Sequence, residues 1–254
     1  MSVIGVPYHL DEYLPDLDFV LRPDVVVTAE TAGGDPWERL APLYSAVAEA
    51  VAEAVADAVA GDGGAPTVVV TGDCLTALGT VAGLQRAGTD PGIVWFDAHG
   101  DVQTPETSTS GYPAGMSLRL LTGHRPELIA GRLGLRAVPE REMLLVGARD
   151  LDPPEAAYLD TAAIRRCEVA DLTAAGLPDG PLYVHIDMDV IRPADVPGIR
   201  FPTPGGPSAA RVGAALRSLL DTGRVAAVGL ACSWLPGHGA AAAIAPHLAN
   251  RLTR

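Results

Sequence analysis

Asp97-Ala98-His99-Gly100-Asp101 follows directly on an apolar run, residues 92–96, Gly-Ile-Val-Trp-Phe. A run of that length and composition reads as a buried strand, so the motif sits where the strand ends. A second apolar run, 181–190, presents His185, Asp187 and Asp189 at alternate positions, which on an extended chain is one face. Solvated loops also collect Asp and His, but Ile186, Met188 and Val190 between the polar positions argue for burial. Buried carboxylates without partners are costly and take up protons. Four of them converging at two strand ends call for cations. The sheet that brings two such ends together is an open α/β sheet, whose ligands bind at the carboxyl ends of its strands. His99 supplies nitrogen, and Asp97 and Asp101 supply hard oxygen. Two divalent ions offset four carboxylates, and ions that share ligands can hold and deprotonate a bridging water. The residues favour a dinuclear hydrolytic site.

The rest of the chain alternates in type. Strands are predicted at 3–6, 24–28, 67–71, 143–146, 165–169 and 224–231. Helices are predicted at 37–60, 75–87, as a pair over 116–136, from 153, and at 208–222 and 237–254, with a Gly-rich stop at 61–66. No interior linker or repeat interrupts this order. The expectation is one domain over 1–254, a three-layer α/β/α sandwich around a mostly parallel sheet. The polar stretch 102–115 is too long for a plain connector and directly follows the first motif, which marks it as functional.

Composition closes off other classes. Hydrophobic residues are 48% and charged residues 19%, which suits a buried core rather than a disordered chain. A formal net charge of -13 argues against a nucleic-acid partner. Residues 44–60 are Ala/Val-rich, but Glu49, Glu53 and Asp57 recur every four residues, so this is an amphipathic helix and not a membrane span. Cys74, Cys167 and Cys232 cannot all pair, and the N-terminus lacks the features of a signal peptide. Both point to the cytoplasm.

Gly72-Asp73-Cys74, Asp97-Ala98-His99-Gly100-Asp101 and Asp187-Met188-Asp189, in that order and spacing, resemble the ureohydrolase (arginase/agmatinase) superfamily over residues 67–235. The resemblance implies an arginase-like fold with two manganese ions at the strand ends and a small-molecule substrate. It also implies a homo-oligomer. Asp97 and Asp187 match the bridging carboxylates. Asp101 matches a ligand of the first metal that also orients the bridging hydroxide, and His99 and Asp189 match ligands of the second. The remaining ligand position, usually His, is Cys74. That is similar to the Cys-bearing subgroup that includes the N-omega-hydroxy-L-arginine hydrolases. A Cys thiolate admits zinc or iron beside manganese, and a helix start and nearby cations would lower its pKa. A buried small residue is the other reading of Cys74. His185 is either a core histidine or a partner that orients a ligand.

Gln103, Ser110 and Thr203 resemble residues at the amino-acid end of the substrate, or are ordinary polar loop residues. Asp152 and Glu155 resemble the substrate's amino-group site, or cap a helix. Three positions depart from the family. Ala114 stands where arginases have His, Trp234 where a Glu holds the guanidinium, and Arg192 where an Asp follows the paired ligands. Trp234 would offer the substrate only a π face. The expectation is a dinuclear-metal hydrolase of a linear C–N bond, acting on a guanidine, N-hydroxyguanidine, amidine or amide other than arginine and agmatine. The alternatives are a non-catalytic metal- or ligand-binding homologue and another metal-assisted reaction, such as deacylation.

Overall fold

The computed structural model describes residues 1–31, 33–60 and 65–252. Part of the expected stop at 61–66, residues 61–64, lies outside them. In chain order the strands are β1 (Val3–Val6), β2 (Tyr8–His9), β3 (Glu12–Tyr13), β4 (Val25–Val26), β5 (Thr67–Thr71), β6 (Gly92–Phe96), β7 (Met143–Val146), β8 (Arg165–Cys167), β9 (Leu182–Asp187) and β10 (Val225–Ala231). The helices are α1 (Pro36–Ala60), α2 (Ala77–Arg86), α3 (Ser117–Leu121), α4 (Ala130–Leu133), α5 (Pro153–Leu159), α6 (Ala209–Leu220) and α7 (Ala240–Leu252).

Among the described residues eight strands form one sheet in the order β4-β1-β5-β10-β9-β6-β7-β8. Every pairing in it is parallel. Alternate strand residues face opposite sides. Ile93, Trp95, Tyr183 and Ala227 join one core with α1, α2 and α3. Val94, Phe96, Val184 and Val228 join the other with α6 and α7. A parallel sheet buried on both faces needs such near-continuous apolar strands, and the chain supplies them. The expected three layers are present.

The α1 helix buries Leu40, Leu43, Tyr44, Val47, Ala48 and Val51. Its acidic stripe Glu49, Glu53 and Asp57 is exposed. Helix α2 approaches α1 closely, because a Cβ at Gly79 would lie 2.7 Å from the Tyr44 carbonyl oxygen and one at Gly83 would lie 2.6 Å from that of Ala48. Glycine four residues apart opens this seam.

Three expectations need correction. The strand expected to run to 190 stops at Asp187, and Asp189 sits in a 3-10 turn, Met188–Val190, tied back by its own amide to Asp187 Oδ1 at 2.9 Å. The helix pair over 116–136 is only α3 and α4, of five and four residues. Between the strands expected at 3–6 and 24–28, where no further strand is expected, lies a small antiparallel hairpin, β2-β3.

Candidate active site

The carboxyl ends of β5, β9, β6 and β7 share one edge of the sheet, and the loops leaving them and β10 line a cavity of about 340 Å³. Asp73 starts the turn into α2. Its Oδ1 accepts from the Leu75 and Thr76 amides at 2.8 and 3.3 Å, and its Oδ2 accepts from the Leu10 amide at 2.7 Å. With Asp73 committed to the backbone, the neighbouring Cys74 turns into the cavity wall. Its thiol donates to Asp187 Oδ2 at 2.8 Å and lies 3.9 Å from Asp97 Oδ2.

Asp97 leaves β6 with Oδ1 accepting from the His99 amide at 2.7 Å and Oδ2 accepting from Trp95 Nε1 at 3.0 Å. Asp189 Oδ1 accepts from the Ala98 amide at 3.0 Å, and Ser233 donates to Asp187 Oδ1 at 2.6 Å. His99 Nδ1 lies 3.0 Å from Asp189 Oδ2 and 3.4 Å from Asp97 Oδ1. Asp101 differs from the rest. Its φ is +52°, a left-handed conformation unusual outside glycine, and its Oδ2 is buried with no hydrogen-bond partner. Residues held in sparsely populated backbone regions cluster at functional sites.

Burial and mutual repulsion raise the acids. The Asp187 carboxyl is pushed up to about 7 by burial and by Asp189, and Asp189 to about 6 by burial and by Asp97. Burial, Asp97 and Asp187 hold Asp101 well above the carboxylate range, and burial also raises Asp97. The Cys74 thiol is raised by burial and then by Asp187, Asp101 and Asp97, the reverse of the expected lowering at a helix start. Burial opposes the charged form of His99, but hydrogen bonds to Asp189 and Asp97 carry it up to about 12.

The donors fall into two overlapping sets within which one atom from each residue lies within 4.8 Å of the others: Cys74, Asp97 and Asp101, and Asp97, His99 and Asp189. Asp97 belongs to both, and Asp187 touches Cys74. Crowded buried carboxylates, a buried thiol among them and the unpartnered Asp101 oxygen fit divalent cations well.

The outer wall carries most of the other expected positions. Gln103 donates to Asp152 Oδ2 at 2.9 Å, and Ser110 lines the same wall. Asp152 and Glu155 form a capping box at the start of α5. Glu155 accepts from the Val102 and Asp152 amides at 3.3 and 3.1 Å, so both its oxygens are engaged although it lines the cavity. Buried Thr203 has its hydroxyl 3.4 Å from His99 Nε2. Trp234 is a correction. It is only 1% exposed, packs in the core shared with α6 and α7, and its Nε1 donates to the Asp18 carbonyl. Past the end of β10 it is the preceding residue, Ser233, that reaches the cavity. Ser233, Asp150, Tyr112 and Phe201 also line the cavity, and no motif in the sequence singles them out. The exposed aromatic in a Pro-rich loop was the available signal for Phe201. His185 is buried against Trp95, ring centroids 3.7 Å apart, with Nδ1 at 3.1 Å from the Tyr183 hydroxyl.

A strand-end cavity that gathers carboxylates, an imidazole and a thiol on a parallel α/β/α sandwich defines a metal-dependent hydrolase. The chain belongs to the arginase family, whose model matches residues 4–233. It is 29% identical to the arginase of Bacillus subtilis over 231 residues, 85% of this chain and 77% of that one. It is 33% identical to the N(omega)-hydroxy-L-arginine amidinohydrolase of Streptomyces lavendulae over 158 residues, 60% of this chain and about half (55%) of that enzyme. The crystal structure of arginase from Bacillus cereus superposes with a TM-score of 0.76 at 25% identity, covering 99% of this chain and 97% of that one.

Proposed function

We propose that the chain is a dinuclear-metal hydrolase of a linear C–N bond whose substrate differs from arginine and agmatine. The observation that carries this reading is the wall beside the donor cluster. The loop after β6 contributes Ala114, and the segment after β10 contributes Ser233, whose hydroxyl is committed to Asp187. Neither offers an imidazole to move a proton or a carboxylate to pair with a guanidinium. A buried guanidinium without its carboxylate is unfavourable, and a missing proton carrier commonly costs about 10²–10⁴-fold in rate. The scissile group is therefore less basic than a guanidine: an N-hydroxyguanidine, an amidine or an amide.

In this reading Cys74, Asp97, His99, Asp101, Asp187 and Asp189 hold two divalent ions, manganese first, with zinc or iron admitted by the softer thiolate. When bound, such ions supply Lewis acidity and a water of lowered pKa. The chain supplies orientation. Asp101 Oδ2 accepts a hydrogen bond from the attacking water and aims it. Trp95 and the His99 amide fix both oxygens of Asp97, Ser233 and the Asp189 amide share Asp187 Oδ1, and the Ala98 amide takes Asp189 Oδ1, which turns Asp187 Oδ2 toward Cys74 and Asp189 Oδ2 toward His99. Gln103, Ser110 and Asp152 face the remote end of the substrate, Thr203 stands against the His99 ring, and Glu155 holds Asp152 in place from behind. Among the described residues no helix is long and apolar enough to cross a membrane. The free thiols Cys74, Cys167 and Cys232 support a reducing, cytoplasmic setting, and the family resemblance supports a homo-oligomer.

Ala114 also favours a second reading, a homologue that binds metal or ligand without turnover. One experiment separates the two. Metal-loaded protein is assayed for urea, hydroxyurea and ammonia release from arginine, agmatine, Nω-hydroxyarginine, amidines and amides. Turnover confined to the less basic groups is expected. A kcat/KM on arginine or agmatine of about 10⁴ M⁻¹s⁻¹ or more overturns the substrate assignment, and full metal loading with no turnover of any compound overturns the enzyme.

A further inference from the structure

The left-handed backbone of Asp101, φ +52°, is uncommon for a residue with a side chain. Such a conformation persists only where the surroundings impose it. Here they act from both sides. The Asp101 carbonyl accepts from the Arg119 amide at 3.0 Å, and the Gln103 amide donates to the Gly115 carbonyl at 3.0 Å. Between these two ties lies Val102, whose amide donates to Glu155 Oε1 at 3.3 Å. The same oxygen lies against Gly100, where a Cβ would come within 2.8 Å of it. One carboxylate, carried in on α5, therefore meets the residues on both flanks of Asp101.

Glu155 is only 4% exposed, and its other oxygen, Oε2, accepts from the Asp152 amide at 3.1 Å in the capping box of α5. A buried carboxylate with each oxygen on a backbone amide joins two segments, here the loop after β6 and the start of α5. Asp101 Oδ2 is the opposite case, buried and without a partner. No hydrogen bond holds that oxygen, so the backbone at 101 decides where it points.

We propose that Glu155 is a positioning residue for Asp101. By holding the Val102 amide and lying against Gly100, it keeps the left-handed turn that aims Asp101 into the donor set shared with Cys74 and Asp97. The inference rests on the donor cluster holding two ions, as proposed above, and does not depend on the substrate. It also separates the two donor sets. Among the described residues Glu155 makes no hydrogen bond to Asp97, His99 or Asp189, so the ion held by those three is outside its reach.

The test is a manganese titration of the metal-free protein, followed by calorimetry, with unfolding midpoints recorded beside it. Glu155→Gln keeps the shape and one acceptor oxygen for the helix cap, and turns an NH₂ group toward the Val102 amide. Gly100→Ala leaves Glu155 in the chain and pushes its carboxylate off Val102. Each should weaken one of the two ions about 10–100-fold and leave the other unchanged. Asp101→Asn should weaken the same ion, and adding Glu155→Gln to it should cost little more, because residues that act through one another are not additive. Three results each overturn the proposal: unchanged affinity for both ions in Glu155→Gln or Gly100→Ala, equal weakening of both ions, or full additivity with Asp101→Asn. A wild type that binds fewer than two ions overturns this assignment and the dinuclear reading together. Two ions and the selective loss, with no turnover of any compound, refute the hydrolase and leave this assignment standing.

Discussion

The Cys74 thiol lies 2.8 Å from Asp187 Oδ2, the shortest tie between the turn after β5 and the end of β9. With Asp101 and Asp97 also raising it, this thiol stays protonated until a cation enters, so its ionisation and metal binding are one event. Cys74→Ser should weaken metal retention more than folding, and Cys74→His should restore a harder, manganese-preferring site. Metal content and dissociation constants, set beside the melting temperature of the metal-free protein, check this. Equal occupancy in the wild type and Cys74→Ser would make the thiol a packing residue.

The raised acids give the metal-free protein an unusual pH dependence. Asp187 is pushed up to about 7 and Asp189 to about 6, both above an unfolded value of about 3.9. The folded state therefore binds more protons than the unfolded one between these values. Stability is full below pH 4 for these groups and is lost as the pH rises through 6 and 7. Thermal unfolding of metal-free protein at pH 5, 6 and 7.5 should show a falling midpoint. Saturating metal should reverse the trend and release protons into a weakly buffered solution.

Trp95 donates to Asp97, the carboxylate common to both donor sets. Trp95→Phe keeps an aromatic ring against His185, removes that donor and leaves a cavity where the larger indole was buried. Loss of a partner of this kind typically costs 10–100-fold in metal affinity. Titration of the metal-free variant with manganese, followed by calorimetry, should show a loss in that range, beside an unfolding midpoint lowered by the cavity.

Arg149 donates to the carbonyls of Val190, Asp189, Thr203, Pro204 and Gly147 and binds three loops into one unit. Gly206, at φ +86°, sits against it, and a Cβ there would lie 2.8 Å from Arg149 Nη2. Arg149→Met takes the donor from the part-buried carbonyls of Val190, Asp189 and Thr203, and Gly206→Ala adds backbone strain to a clash. Each should cost about 2–4 kcal/mol, read as a lowered melting temperature. Faster proteolysis should begin between 197 and 207.

Much of this architecture is written in local pattern. Apolar runs such as 67–71 and 92–96 are strands to the residue, because both faces of a parallel sheet demand continuous hydrophobicity. The stretch 181–190 reads as a strand to its end, but the backbone bends where Asp189 ties to Asp187, and no periodicity reports a side-chain hydrogen bond. The same limit applies to Trp234. Which of two adjacent residues faces a cavity depends on the last strand residue, and one position of phase exchanges Trp234 for Ser233. Tyr112, Asp150 and Phe201 lie too far apart in sequence for any motif to join them.

The position of β10 has a consequence for how the molecule is made. It is the last strand of the chain, yet it lies between β5 and β9 in the sheet. Until it emerges, the polypeptide holds two unjoined half-sheets, with Cys74 beside one and Asp97, His99, Asp101, Asp187 and Asp189 on the other. Both inner edges are open to pairing with other chains. Ribosomes must deliver the chain through β10 before the donor set can assemble, and such non-local closure is slow. A nascent chain stopped before residue 225 would carry every acidic donor and still be unable to bring Cys74 to them.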